Sequence, residues 1–318
     1  MTAYTIRRVG QGLIVVLIVT FLTLLEAHMM PGNPARDILG VHASQAQIQA
    51  FDVKNGYNRA LPIQYWMYLG RLLHGNLGFS YVQNQPVSSL LGQALINSSI
   101  LVGIAVVFSL LVAIPLAVVQ AVRRYKIEDY LLTGVTFAFY SMPTFWFAMM
   151  LVLLFSAKAH LLPAVVLQGP PLQILENPKQ LVLPVLTLAM GNIATFSRYL
   201  RSSVLDNLTM DYVRTARAIG NSNRRVLSAH VLKNALAPVI TMLGLALPSI
   251  MSGALMTESI FNYPGMGMLY WQSSQNRDYP VMLGATLVVT LATVVGTLLA
   301  DLAYAIVDPR IRYVRSGS

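Results

Sequence analysis

Five histidines, twelve carboxylates and no cysteine are the groups from which this chain could build a reactive or metal-binding centre. His28, His42, His74, His160 and His230 show no i, i+4 pairing, the spacing that would place two imidazoles on one helix face. Without cysteine there is no thiol nucleophile, disulfide or thiolate metal site. No paired carboxylates and no Ser-His-Asp order stand out as catalytic, and no G-x-x-x-x-G-K-[ST] phosphate loop is present. The expectation is a chain with no catalytic residue, metal or cofactor of its own. Two acids stand out by their surroundings: Glu258, beside Ser259 at the end of an apolar run, and Asp301, inside another. Ionisable groups at membrane depth are costly and often functional. Glu258 reads as a solvated interfacial group or as part of a gate, and Asp301 as one half of an intramembrane ion pair with Arg310 or Arg312.

The densest local signals lie between Arg201 and Pro238. Thr209 can cap a helix, Asp211 falls in its first turn near the positive dipole end, and Gly220 can end it. Ser222 can cap a second helix running through Val226, Leu227, His230 and Val231. Val213, Ala216 and Gly220 share one side of the first helix at i, i+3, i+7 spacing. Small residues there would let another backbone approach closely, so a short helix with a small-residue face and an arginine face suits docking into a partner's groove. Two other readings compete. One is a basic amphipathic helix lying on anionic lipid. The other is a helix-turn-helix, which fails because apolar spans enclose the segment on both sides.

Those spans dominate the chain. Of 318 residues, 55% are hydrophobic and 11% charged, against roughly 25% charged in a soluble domain. A membrane span needs about 20 mostly apolar residues, and six runs meet or approach that: Val9–Met30, Ile96–Val122, Tyr130–Ala157, Leu181–Leu200, Pro238–Met256 and Val281–Ile306. Arg7 and Arg8 give the first run the start of a signal peptide, but it is long for one and no A-x-A cleavage site follows, so it is kept as a helix. Pro115, Pro143, Pro184 and Pro248 fall in or beside spans and predict kinks. Residues 31–95 are polar and proline-containing, with helical spacing at Gln45–Phe51 and Gln64–Leu73. Lys and Arg favour one set of loops by roughly two to one, which puts the N-terminus, Gln120–Glu128, Arg201–Lys233 and the C-terminus in the cytoplasm. The net charge of +10 is then mostly a topology signal, and nucleic acid is not needed to explain it. The expected organisation is an all-α membrane protein of about six transmembrane helices: residues 1–30 as cytoplasmic end and first span, 31–95 as an extracytoplasmic region, 96–306 as a core of five spans with a cytoplasmic loop at 201–238, and 307–318 as a tail.

The loop resembles the E-A-A-x-x-x-G loop of ABC importer permeases. Arg214 stands at the Glu position, Thr215 and Ala216 at the two Ala positions, and Gly220 at the Gly. Arg214 and Thr215 depart from that pattern, yet D-Y-V-R-T-A-R-A-x-G followed by H-V-L-K-N-A-L-A-P is similar to the form in dipeptide, oligopeptide and nickel permeases. The usual Leu-Pro is replaced by Leu232-Lys233, with proline delayed to Pro238. Four further stretches match in order: Met30-Pro31-Gly32-Asn33-Pro34, His74–Ser80 with Pro86-Val87, Thr257–Phe261 with Tyr263–Gly267, and Asp301–Tyr304 with Asp308–Arg312. The resemblance covers nearly the whole chain, and the long first loop matches the first permease subunit of dipeptide-type systems. It implies a type I importer permease, embedded in membrane lipid, that forms half of a pathway with a homologous second permease. Two ATPase subunits carrying ATP and Mg would bind below, and an extracytoplasmic binding protein would deliver di- or oligopeptide above. It also implies that Tyr212, Val213, Arg214, Thr215, Ala216, Arg217, Ala218, Ile219 and Gly220 couple to the ATPase. Separately, the density of proline and glycine in Tyr263, Pro264, Gly265 and Gly267, directly after a long apolar run ending near Glu258, fits either an ordinary turn or a tight capping loop near the pore mouth or binding protein. Nickel, glutathione or another small solute remains an alternative cargo. A secondary transporter would need coupling charges at the midplane and often inverted repeats, and neither is clear here.

Overall fold

The computed structural model describes residues 2–29, 34–39, 42–169, 173–236, 239, 242–243 and 254–307. The candidate span Pro238–Met256 and the expected Asp301 ion pair fall largely outside the described residues and side chains. Four described helices are long and apolar enough to cross a membrane, or five if one sharply bent pair counts as a single span.

The first of these, α1 (Thr2–Met29), leads to a loop-rich end of the molecule built from α2 (Pro34–Leu39), α3 (Gln45–Asn55) and α4 (Leu61–Leu73). Local sequence sets α3: Ser44 and Gln47 form a reciprocal capping box, and Gly56 closes the helix in the left-handed region. A two-residue hairpin, β1 (Phe79–Ser80) with β2 (Gln85–Pro86), then hands over directly to α5 (Val87–Val122). This helix starts well before Ile96, because Pro86 supplies an extended cap and apolar residues follow at once. Ser80 donates a short hydrogen bond to Asp278, pinning the hairpin to the far end of the chain. Burial holds the Asp278 carboxyl above its usual range, opposed by that same hydrogen bond.

The third expected span does not run straight. α6 (Ile127–Ser141) and α7 (Thr144–Leu151), which continues as a π turn over Val152–Lys158, meet at 102°. Pro143 is the cause: it has no N–H to continue the ladder, and it holds Met142 extended at φ −75°, ψ 132°. The fourth span shows the opposite outcome. A 3₁₀ turn at Pro178–Leu181 runs into α8 (Val182–Leu208) without a break. Pro184 falls in the first turn of α8, where no intrahelical N–H bond is required.

The core is the α5–α8 pair, packed along its length. Ala105, Ala113, Ala117 and Ala189 are fully buried there, and Ser109 Oγ donates to Ala105 O at 2.5 Å and to Ala189 O at 3.3 Å. Small side chains let two spans approach closely enough for such contacts. The chain closes with α9 (Asp211–Ala218), a helical run over α10 (Asn223–Arg225), Val226–Val231 and α11 (Leu232–Ala235), then α12 (Leu255–Ile260), α13 (Met266–Gln275) and α14 (Tyr279–Val307). α14 packs on α1, with Thr23 Oγ1 and Thr286 Oγ1 3.4 Å apart.

Candidate functional site

At the basic end of the bundle, α9 lies where the sequence places a helix, but its capping differs. Met210 is the extended N-cap and lends no side-chain bond. Thr209 instead closes α8, donating to Asp206 O at 2.8 Å. Asp211 occupies the first turn, and Gly220 turns the chain away at φ 86°, with Gly220 N–H on Arg217 O and Asn221 N–H on Ala216 O. A residue with a β-carbon would be strained there. Ser222 then caps the next helix through Arg225 N–H at 3.4 Å.

The nine expected coupling residues divide by face. Val213 and Ala216 are buried in a cluster with Ala121 of α5, Val204 of α8 and Val226, Val231 and Ala235 of the following run. Val213 and Ala216 of the small-residue stripe therefore dock α9 onto its own chain, contrary to their reading as a partner-facing surface, while Gly220 stays exposed. Tyr212 is half-buried and donates to Asn207 Oδ1 at 2.6 Å. Arg214, Thr215, Arg217, Ala218, Ile219 and Gly220 face outward, Ile219 at 74% exposure. Ala216→Trp should accordingly act on the protein itself: overpacking costs about 1–3 kcal/mol or more. The expected result is a lowered melting temperature of the purified chain together with lost transport. An unchanged melting curve would refute the inward packing.

Beside α9, an ion pair between a buried acid and a partly exposed arginine escaped the sequence reading. Asp129, in the first turn of α6, is 3% exposed and receives Arg201 of α8 in two-pronged fashion, Nε to Oδ1 at 3.1 Å and Nη2 to Oδ2 at 2.8 Å. Tyr125 N–H and Thr133 Oγ1 complete its shell. Arg201 also lines a cavity of about 560 Å³ with Gln120, Arg124 and Arg198, whose guanidinium lies 5.2 Å from the Tyr140 ring centre. The available sequence signal was weak: an acid opening a helix within an otherwise basic rim.

At the loop-rich end, Glu258 is fully buried, which rules out the solvated interfacial reading. Its Oε1 accepts from Ser98 Oγ of α5 at 2.7 Å and from Ala254 N–H at 3.1 Å, and its Oε2 from Met268 N–H at 3.0 Å. Around it the Tyr263–Gly267 loop is stitched to α5. Tyr263 OH donates to Asn97 O at 2.6 Å, Asn97 Nδ2 to Pro264 O at 2.8 Å, and Met266 N–H to Ser98 Oγ at 2.8 Å. From the other side, Val166 N–H donates to Phe261 O at 2.7 Å. The glycines answer to crowding: a β-carbon on Gly265 would overlap the Glu258 carboxyl, and one on Gly267 would fall 2.7 Å from Leu255 Cα. Thus the structure gathers Glu258, Tyr263, Pro264, Gly265 and Gly267 into one unit anchored on α5.

Comparison with known proteins adds the lineage. The sequence model of the binding-protein-dependent transport system inner membrane component matches residues 113–313, and that of its N-terminal region matches residues 1–104. The oligopeptide transport system permease protein AppB of Bacillus subtilis is 38% identical over 98% of this chain and its own full length. The dipeptide transport system permease protein DppB of Escherichia coli is 32% identical over 98% of this chain and 99% of its own. The glutathione transport system permease protein GsiC of Escherichia coli is 34% identical over 98% and 100%. A solved amino acid ABC transporter chain aligns at 14% identity and a TM-score of 0.48 over 68% of this chain and 92% of its own, too low to bear on the assignment. With nearly the whole sequence matched in this way, the chain is a multi-pass membrane protein of the binding-protein-dependent ABC transport permease family.

Proposed function

We propose that this chain forms half of the translocation pathway of an ATP-driven importer of di- or oligopeptides. Its arginine-rich end and both termini lie in the cytoplasm, in keeping with the distribution of Lys and Arg. A homologous second permease completes the pathway, two ATPase subunits holding ATP and Mg dock beneath, and a binding protein delivers the cargo. The names of its relatives support the cargo class. The observation that carries the coupling is the two-sidedness of α9, keyed by Val213 and Ala216 into the ends of α5 and α8 while Ile219 projects outward. A helix held that way transmits a displacement of its exposed face to two spans at once. ATP closes the ATPase dimer, and the dimer favours one pathway state through this contact. A ligand shifts a two-state equilibrium only by its differential affinity for the two states.

The test is Ile219→Asp in the assembled transporter, which alters the exposed face and leaves the buried one intact. ATPase co-purification and peptide uptake should fall about tenfold or more, the equivalent of roughly 1.4 kcal/mol, with an unchanged melting temperature. If α9 instead rested on lipid, ATPase retention and uptake would stay normal. Uptake of glutathione or nickel but no peptide would reassign the cargo.

A further inference from the structure

We propose that the cavity between the β1–β2 hairpin, the start of α5 and α13 binds short peptides by their main chain, using side-chain amides that mirror the peptide unit. This rests on the peptide-importer reading above. The cavity measures about 460 Å³, within the range of about 300–1,000 Å³ common for small-ligand sites. Its polar lining is carboxamide: Gln83 and Gln85 from the hairpin, Gln93 and Asn97 from α5, Gln272 from α13, and Gln168, whose Nε2 is already donated to Asn262 Oδ1 at 3.0 Å. Gln93 and Asn97 stand one turn apart on the same helical face. None of the described lining residues is charged.

Asn97 gives the cavity its direction. The side chain is 2% exposed, and its Nδ2 is fixed by donation to Pro264 O at 2.8 Å. Turning the amide over would set its oxygen against that carbonyl, so the assignment is determined by the partner. The remaining atom, Oδ1, is buried without a hydrogen-bond partner among the described residues. A buried acceptor left in that condition is costly; it is closed to solvent in this state, and a ligand N–H relieves it once the cavity wall adjusts to open it. Carboxamides offer one acceptor and two donor hydrogens each, so a row of them pairs with successive C=O and N–H groups of an extended peptide whatever its side chains. The uncharged lining suits the main-chain amides of a peptide, leaving its charged ends to the open mouth, and an acyl chain would strand every amide. The site is therefore suited to cargo that varies in side chain and is constant in backbone.

Because the chain has no cysteine, the site can be read by thiol labelling on this subunit within the complete transporter. Gln272→Cys is reacted with an impermeant maleimide in the presence of tri-alanine or of its fully N-methylated analogue, which has the same side chains and no amide N–H. Tri-alanine is expected to slow labelling about fivefold or more, the analogue far less. Adding Gln93→Leu should weaken protection about two- to tenfold, the usual worth of one neutral hydrogen bond. Equal protection by both peptides would overturn the proposal. So would absence of protection while the cysteine-free parent imports tri-alanine. Protection by substrate-free binding protein alone would assign the cavity to a partner segment and overturn it too. If the parent imports no peptide at all, the peptide-importer reading falls and the site falls with it.

Discussion

Arg201→Ala is expected to lower the stability of the chain by about 1–3 kcal/mol or more, the cost of leaving a buried charged group without its partner, since Asp129 is buried while Arg201 is 28% exposed. The change leaves Asp129, 3% exposed in the intact pair, with Tyr125 N–H and Thr133 Oγ1 among the described residues to face its charge. Arg201→Lys should fall between, since a single ammonium cannot reproduce the two-pronged contact made by Nε and Nη2. The pair is 72 residues apart in sequence and joins α6 to α8, so its loss should loosen that junction specifically. Thermal unfolding of the purified protein checks the size of the effect. The double change Asp129→Asn with Arg201→Gln should recover part of the loss, because neither side is then left as an isolated charge. A wild-type melting curve for Arg201→Ala would show that Asp129 is not buried in the membrane-embedded protein.

The second large effect is expected from Glu258→Ala. Ser98 Oγ and the N–H groups of Ala254 and Met268 all lose their acceptor in one step. At about 1–3 kcal/mol for each buried group left unpaired, the Tyr263–Gly267 loop should detach from α5. Glu258→Gln is the informative companion. A carboxamide of the same size keeps one oxygen for Ser98 and Ala254 but turns its NH₂ towards Met268 N–H, so it should retain part of the stability and part of the transport. The check is thiol labelling at Tyr263→Cys: slow in an otherwise unaltered chain, intermediate with Glu258→Gln, fast with Glu258→Ala. Equal rates in all three would mean that Glu258 does not hold the loop.

What could be read in the sequence, and what could not, follows from the range of the interactions concerned. α9 was legible because its signals are local: Asp211 in the first turn and Gly220 at φ 86° lie within ten residues of each other. The direction in which its small stripe faces was not, since Val213 and Ala216 at i, i+3 define a face without saying whether the chain itself or another protein covers it. Glu258 was read as either solvated or part of a gate because it ends an apolar run, whereas its shell comes from Ser98 and from backbone groups that carry no residue signature. Pro143 was read as a kink, and the 102° turn is a larger break than a proline inside a span alone would dictate. The additional freedom comes from Met142 being held extended rather than helical.

The anchoring of Glu258 on Ser98 also bears on biogenesis. Ser98 precedes its partner by 160 residues. At a synthesis rate of about 5–20 residues per second, α5 exists for roughly eight to thirty seconds before the carboxylate that engages its hydroxyl has been made. In that interval Ser98 can turn its hydroxyl back to a carbonyl of its own helix, as serines in apolar helices do. Asn97, with two amide hydrogens and an oxygen to satisfy, has less local recourse. The ribosome thus delivers the scaffold early and its fastening late. A chain stalled before residue 258 would present the membrane's insertion machinery with an α5 whose polar pair has nothing to hold.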